Sequence, residues 1–277
     1  MEPRRPQLIR EAVLDGIFYP QSATALREAV RTLLLRTEEL AGNATGIVSP
    51  HGSFQYSGLH QSSAFKSAAA TSPQLVGVIA AATHDTQRTP AVPESDLFRT
   101  PMGDTFVARE RAEELVCSLR FLRRDDIPHF EAPSVETVLP FVQFLFPAAE
   151  ILPVLTPNLT AAKAAELASA LKQCTSDLLP SRVLWICSSN ITQGGSAGSA
   201  RRRADTLVEH LADRTMRQVL PRKRAGRGYP AATCLAIFDA LMSDSCSLEI
   251  LTRGSSCDFD GNAGSSTEYA SAACRSL

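Results

Sequence analysis

Two histidines follow apolar runs that have the composition of buried strands. His51 comes directly after the run Thr45–Pro50, and His84 comes after Leu75–Thr83. Ligands of open α/β sheets bind beyond the carboxyl ends of the strands, and neutral imidazole is the commonest metal ligand in proteins. His51 and His84 would therefore supply half of a site for iron, copper or zinc. Turn histidines are also ordinary structural residues, so the spacing leaves both interpretations open.

Other polar residues extend this candidate site. Asn190 ends the segment Ser188-Ser189-Asn190, which follows a further apolar run, so it is expected at the same edge of the sheet. His129 is a candidate third donor. His60 is expected to be structural or exposed and His210 to be solvated. No HExxH motif, and no GxGxxG at a strand–helix junction, accompanies them.

A second kind of chemistry is suggested by the segment 192–203, "TQGGSAGSARRR". Glycines, serines and arginines could cradle a phosphate, which would indicate a phosphate-dependent enzyme. The segment lacks the spacing of a P-loop. The simpler interpretation is a loop that leads into a solvated helix.

The elements that must position these residues alternate along the chain. Five continuous apolar runs predict strands: Thr45–Pro50, Leu75–Thr83, Ile151–Thr156, Arg182–Ser188 and Ser247–Leu251. Helical periodicity predicts Ala23–Leu40, Arg109–Leu119, Val135–Phe146, Ala161–Leu171, Ala204–Val219 and Ala231–Met242. We predict a long loop over residues 83–104 and a hairpin or edge strand after Leu251. The alternation predicts one layered α/β domain over residues 1–277 with a central mixed, largely parallel sheet.

Composition limits the class of protein. The 277 residues are 44% hydrophobic and 21% charged, with a formal net charge of −1, so no basic field favours nucleic acid. No segment approaches the roughly 20 apolar residues of a membrane span, and no signal peptide is expected. The seven cysteines are odd in number and include no CxxC pair, which indicates reduced thiols and a cytoplasmic protein.

Several segments, taken in order from Arg10 to about Tyr269, resemble the Memo family, also known as component B of the AmmeMemoRadiSam system. The similar segments are "REAVLDGIFYP", "SPHGSFQYSG", "ATHDT", "FRTPMGD", "PSVETVLPFVQF", "ILPVLTP" and "WICSSNIT". The resemblance implies the α/β fold of class III extradiol dioxygenases, which use non-haem iron. It also implies links to redox-metal binding and, in animals, to phosphopeptide binding.

The family's metal-site residues are only partly matched. His51 and His84 stand at the positions of its two metal histidines, and Asp85 follows where a further histidine is common. Pro133 replaces another family histidine, while Glu136 is kept.

The later part of the pattern departs further. Asn190 replaces the family's aspartate and Gln193 its histidine. The late cysteine ligand falls near Tyr229. Cys234 lies five residues later, where it is expected to be one turn into a helix and out of register.

The resemblance therefore implies a divergent Memo-like protein with a reduced metal site, formed by His51 and His84. It would act by binding a partner protein or a small ligand. Iron, copper or zinc would bind weakly, because each lost donor removes binding energy. The alternative is a non-haem metal-dependent oxidoreductase or dioxygenase-like enzyme, in which a carboxylate completes a facial triad. The ligand cleft would be lined by Asp85, Glu136, Asn190, Gln193 and Tyr229.

Overall fold

The computed structural model describes residues 7–82, 89–222 and 230–276. They form a layered α/β sandwich in which helices cover both faces of a mixed, largely parallel sheet, as predicted. That residues 1–277 form a single domain stays a prediction. The strands are β1 (Ile9–Arg10), β2 (Gly46–Ser49), β3 (Leu75–Ala81), β4 (Ala91–Val92), β5 (Leu97–Thr100), β6 (Gly103–Phe106), β7 (Arg123–Arg124), β8 (Glu150–Thr156), β9 (Val183–Ser188), β10 (Thr192–Gln193), β11 (Cys246–Ser255) and β12 (Thr267–Ser276).

Helices occupy most of the intervals between the long strands. They are α1 (Ala23–Arg36), α2 (Phe54–Lys66), α3 (Arg109–Ser118), α4 (Ile127–Glu131), α5 (Pro133–Glu136), α6 (Leu139–Leu145), α7 (Ala161–Cys174), α8 (Ala197–Ala212), α9 (Pro230–Leu241) and α10 (Cys257–Asp260). Two 3-10 turns, Pro180–Arg182 and Met216–Val219, precede β9 and α9.

The main sheet has the strand order β10-β12-β2-β9-β3-β8-β4-β7, and β11 pairs with β12. Its centre is the parallel set β2, β9, β3 and β8, whereas β12 is antiparallel to β2 and β4 is antiparallel to β8. Ser188 on β9 is in register with Ser49 on β2 and Ala80 on β3. The carboxyl ends of three strands therefore meet at one edge, which places the loops after them side by side.

The apolar runs at the centre of the sheet form strands because both faces of the sheet are buried there. All seven residues of β3 are buried. Val76, Val78 and Ala80 pack in the core on one face, and Leu75 and Ile79 pack in the core on the other. A strand whose alternate residues lie in two cores has no polar face. Its sequence is therefore a continuous apolar run, as it is here, rather than an alternation of apolar and polar residues.

Two helix predictions differ from the structure for local reasons. The helix predicted over Val135–Phe146 is divided into α5 and α6. Pro140 lies in the first turn of α6, where its missing N–H costs no hydrogen bond. In the interior of one continuous helix the same proline would break the hydrogen-bond pattern. The helix predicted over Ala204–Val219 begins earlier, at Ala197, and ends at Ala212; beyond it, Arg214 adopts a φ of 57°.

The prediction of one long loop over residues 83–104 is wrong for the residues described within it. That segment contains β4 and β5 and reaches the start of β6. The strands are too short to display an apolar period. A turn at Pro101-Met102 joins β5 to β6, and Gly103, the first residue of β6, has a φ of 129°. The predicted C-terminal hairpin is confirmed by the antiparallel pair β11 and β12.

Gly77 on β3 lies under the ring of Trp185. A Cβ atom added at Gly77 would stand 2.2 Å from Cζ3 of that ring. We expect Gly77→Ala to lower the free energy of unfolding by about 1–3 kcal/mol, because the buried ring and its strand must move to admit the methyl group. Denaturant unfolding measures the change.

Gly198 on α8 is the matched control. A Cβ atom there would meet only an Arg202 side-chain nitrogen, at 3.6 Å. Gly198→Ala should therefore leave stability unchanged or raise it by roughly 0.5–1 kcal/mol, as alanine does in an exposed helix. Equal effects of the two substitutions would contradict the close packing inferred for Gly77.

Candidate functional site

His51 lies beyond the end of β2, next to the end of β9. Its backbone N–H donates to Oδ1 of Asn190 at 3.1 Å, and the backbone N–H of Ser189 donates to the carbonyl of Ser49 at 2.9 Å. These bonds join the loops after the two parallel strands. His51 and Asn190 are thus brought together at the carboxyl edge of the sheet, although 139 residues separate them along the chain.

The His51 ring has a defined tautomer. Its Nδ1 lies 3.3 Å from the carbonyl oxygen of Ser188. A carbonyl only accepts, so Nδ1 carries the proton and Nε2 keeps a free lone pair. Burial lowers the pKa of His51 to about 4, since a charged imidazole would be poorly solvated here. At neutral pH His51 is a neutral ring that can accept a hydrogen bond or ligate a metal through Nε2.

Asn190 serves this arrangement through its side chain. Its Oδ1 holds the backbone of His51, and the amide cannot exchange a proton at neutral pH. Asn190 is therefore a positioning residue for the turn at His51.

Glu136 is fully buried and its carboxylate is saturated. It forms an ion pair with Arg10 and accepts hydrogen bonds from the backbone N–H groups of Val13 (3.1 Å) and Leu14 (2.9 Å) and from the hydroxyl of Tyr19. Burial and the neighbouring carboxylate hold the pKa of Tyr19 well above its usual value, so its hydroxyl remains a donor. In this structure Glu136 anchors the N-terminal segment to α5.

The other predicted site residues have varied positions. His84, Asp85 and Tyr229 lie outside the described residues. Gln193 is exposed on β10, where it pairs with Thr267 of β12. Its place among the ligand-cleft residues stays a prediction.

His129 and His60 are structural in this fold. His129 is fully buried against the edge of Phe98, and its carbonyl accepts a hydrogen bond of 2.7 Å from Arg10. The ring of His60 is bonded through Nδ1 to Oγ1 of Thr252 at 2.8 Å and stacks on Tyr269. His210, predicted to be solvated, is half-buried and its Nδ1 lies 2.8 Å from Oγ1 of Thr215.

Three residues beside His51 were missed by the sequence reasoning. Gly52 lies so close to Tyr269 that an added Cβ would stand 3.3 Å from the ring. Gln61 donates to the Gly52 carbonyl and to Oγ of Ser57, both at 2.8 Å. The spacing of Ser57 and Gln61, four residues apart on α2, is the signal that could have identified this support for the turn.

Cys234 lies in the core rather than in a cleft. Its Sγ is 2.8 Å from Oγ1 of Thr156, and it is a neighbour of Cys187. Burial raises the pKa of the Cys187 thiol well above its usual value, so that thiol remains protonated. None of the seven cysteines forms a disulfide, and five of them are buried.

A resident metal ion needs several protein donors arranged around it. Within residues 7–82, 89–222 and 230–276, no group of three or more His, Cys, Asp or Glu side chains is arranged to hold one. His51 is a suitable single donor, but its described surroundings do not complete a coordination shell. The described donors alone therefore do not fit a resident metal.

Comparisons with known proteins give one consistent result. The model of the Memo-like protein family matches residues 10–272. A MEMO1 family protein of Thermotoga neapolitana is 29% identical over 222 residues, covering 76% of this chain and 79% of the relative. A MEMO1 family protein of Methanobrevibacter smithii is 24% identical over 284 residues, covering 95% of this chain and 99% of the relative. Among the helices of the described chain, none combines the length and hydropathy needed to span a bilayer.

Proposed function

Since the chain belongs to the Memo-like protein family, we propose that it acts as a binding protein whose carboxyl-edge cleft receives a small ligand or a side chain of a partner protein. One observation carries this proposal. His51 is held as a neutral ring, with Nδ1 committed to the Ser188 carbonyl and its backbone fixed by Asn190. A ring fixed in this way presents Nε2 as a hydrogen-bond acceptor at the edge of the sheet. A ligand with a donor group can bind to it without any chemical reaction.

The neighbouring residues support recognition rather than proton transfer. An amide stands at position 190, so the residue bonded to His51 cannot act as a base. The Glu136 carboxylate, the one acid retained from the family motif, is occupied by Arg10 and Tyr19. The lone pair on Nε2 of His51 is thus the group best placed to meet a ligand.

A second candidate function rests on the same tautomer. Ligating histidines usually donate their other ring N–H to a carbonyl or carboxylate, as His51 does. A site formed by His51, His84 and a carboxylate would give a non-haem metal-dependent oxidoreductase, in keeping with the dioxygenase-like fold that the family resemblance implies.

Metal titration separates the two candidates. We expect iron, copper and zinc to bind weakly at most to protein purified without chelator, and we expect either His51→Ala or His84→Ala to abolish that binding, since each removes one of two donors. Elemental analysis and calorimetry measure this, with His210→Ala as the matched control. Tight binding with a stoichiometry of one that requires both histidines would favour the oxidoreductase. Tight binding that survives both substitutions would place the metal elsewhere.

The binding function has its own test. Ligand-observed NMR with a library of small polar molecules should give hits that His51→Ala removes and His210→Ala keeps. A hit is expected to carry a donor group for Nε2 of His51. If every hit binds equally well to the His51→Ala variant, the proposal is wrong.

A further inference from the structure

A cavity of about 590 Å³ lies at the amino edge of the sheet, opposite His51. Thr45, which precedes β2, and Val183, the first residue of β9, both line it. Its volume is within the range of roughly 300–1,000 Å³ that is typical of small-molecule sites. None of the residues placed at the carboxyl edge takes part in it.

The inner wall of the cavity is apolar and is shaped by two glycines. Trp185 on β9 is in register with Gly46 on β2 and Gly77 on β3. Side chains at those two positions would collide with Met242 and with the Trp185 ring. The sheet therefore makes room for Trp185 and Met242, which line the cavity together with Leu241.

The rim carries one residue of each charge. Lys172, in the last turn of α7, and Asp244, just after α9, both line the cavity and are exposed. Neither has an ion-pair or hydrogen-bond partner for its side chain within the described residues. Arg214 lies close by, but its guanidinium is paired with Asp239. A free ammonium and a free carboxylate thus flank an apolar wall.

We propose that this cavity binds a zwitterionic small molecule with an apolar side chain, the chemistry of a free apolar α-amino acid. The ligand carboxylate pairs with Lys172 and its ammonium with Asp244, while its side chain packs against Trp185 and Met242. Charge-assisted hydrogen bonds of this kind are the strong ones in proteins. The site lies at the other edge of the sheet from His51 and does not depend on the function proposed there.

Trp185 is the single tryptophan of the chain, so its fluorescence reports on this cavity alone. Titration with L-phenylalanine or L-leucine should change the indole emission saturably, and calorimetry should give the same dissociation constant. Phenylpropionate lacks the ammonium and phenethylamine lacks the carboxylate. Each should bind at least about ten-fold more weakly, because it forms only one of the two charge-assisted hydrogen bonds to the rim.

Variants test the rim directly. Lys172→Gln and Asp244→Asn should each weaken L-phenylalanine binding by about ten-fold, whereas Lys172→Arg should retain it. Ser176→Phe should block the cavity, and His51→Ala, at the other edge, should bind as the parent does. The proposal is overturned if calorimetry detects no binding of either amino acid, if the two analogues bind as tightly as L-phenylalanine, or if both rim variants keep the parent affinity.

Discussion

Glu136→Ala is expected to lower the free energy of unfolding by about 3–5 kcal/mol. The substitution leaves Arg10 fully buried with its main charge partner removed, and an uncompensated buried charge is among the costliest defects in a protein. It also removes the acceptor for Tyr19 and for two backbone N–H groups of the N-terminal segment. Denaturant unfolding, followed by circular dichroism, measures the loss.

Two controls separate the buried charge from general damage. Replacing both partners, with Arg10→Met and Glu136→Leu, should cost less than Glu136→Ala alone, because no charge remains buried. Glu28→Ala breaks an exposed ion pair with Arg31 and should leave the unfolding midpoint unchanged. A double variant that is less stable than Glu136→Ala would show that packing, not charge, dominates at this position.

Stability should fall as the pH is lowered from about 6.5 to about 4. Burial depresses the pKa of both His51 and His129 to about 4, below the unfolded value of roughly 6.5. Between these values the unfolded chain binds more protons, so acid favours unfolding. At roughly 1.4 kcal/mol per pH unit, each histidine contributes about 3 kcal/mol that is present above pH 6.5 and lost at the acid end.

His51→Leu and His129→Leu test this contribution one residue at a time. Each variant is compared with the parent at pH 8, where both imidazoles are neutral, and again at pH 4.5. The stability lost between the two pH values should be smaller in each variant by about 2–3 kcal/mol. A loss equal to that of the parent would mean that the histidine is not buried as a neutral ring.

The central strands of the sheet could be predicted from sequence because they are buried on both faces. The run Leu75–Ala81 contains seven residues and no polar side chain. Such a continuous apolar run is typical of a strand that is buried on both faces and not of a surface loop. The two-residue strands β4 and β7 could not be predicted, since a pair so short has no period. β4 pairs with the longer strand β8, and β7 pairs in turn with β4.

The site was predictable in part for the same reason. His51 and Asn190 follow long strands, so topology alone brings them to one edge. The environment of Glu136 was not predictable, because its partner Arg10 lies 126 residues away and on a two-residue strand. Nor could the sequence indicate that Trp185 stands between Gly46 and Gly77, since that depends on the register of three separate strands.

The position of β12 has a consequence for how the protein is made. Val48 on β2 pairs with Cys187 on β9 on one side and with Ala272 on β12 on the other. A nascent chain therefore carries β2 with one open edge until almost all of the described residues have left the ribosome. Such open edges are prone to aggregation. The same late strand brings Tyr269 beside Gly52, so the turn at His51 gains this contact only after residue 269 has been made.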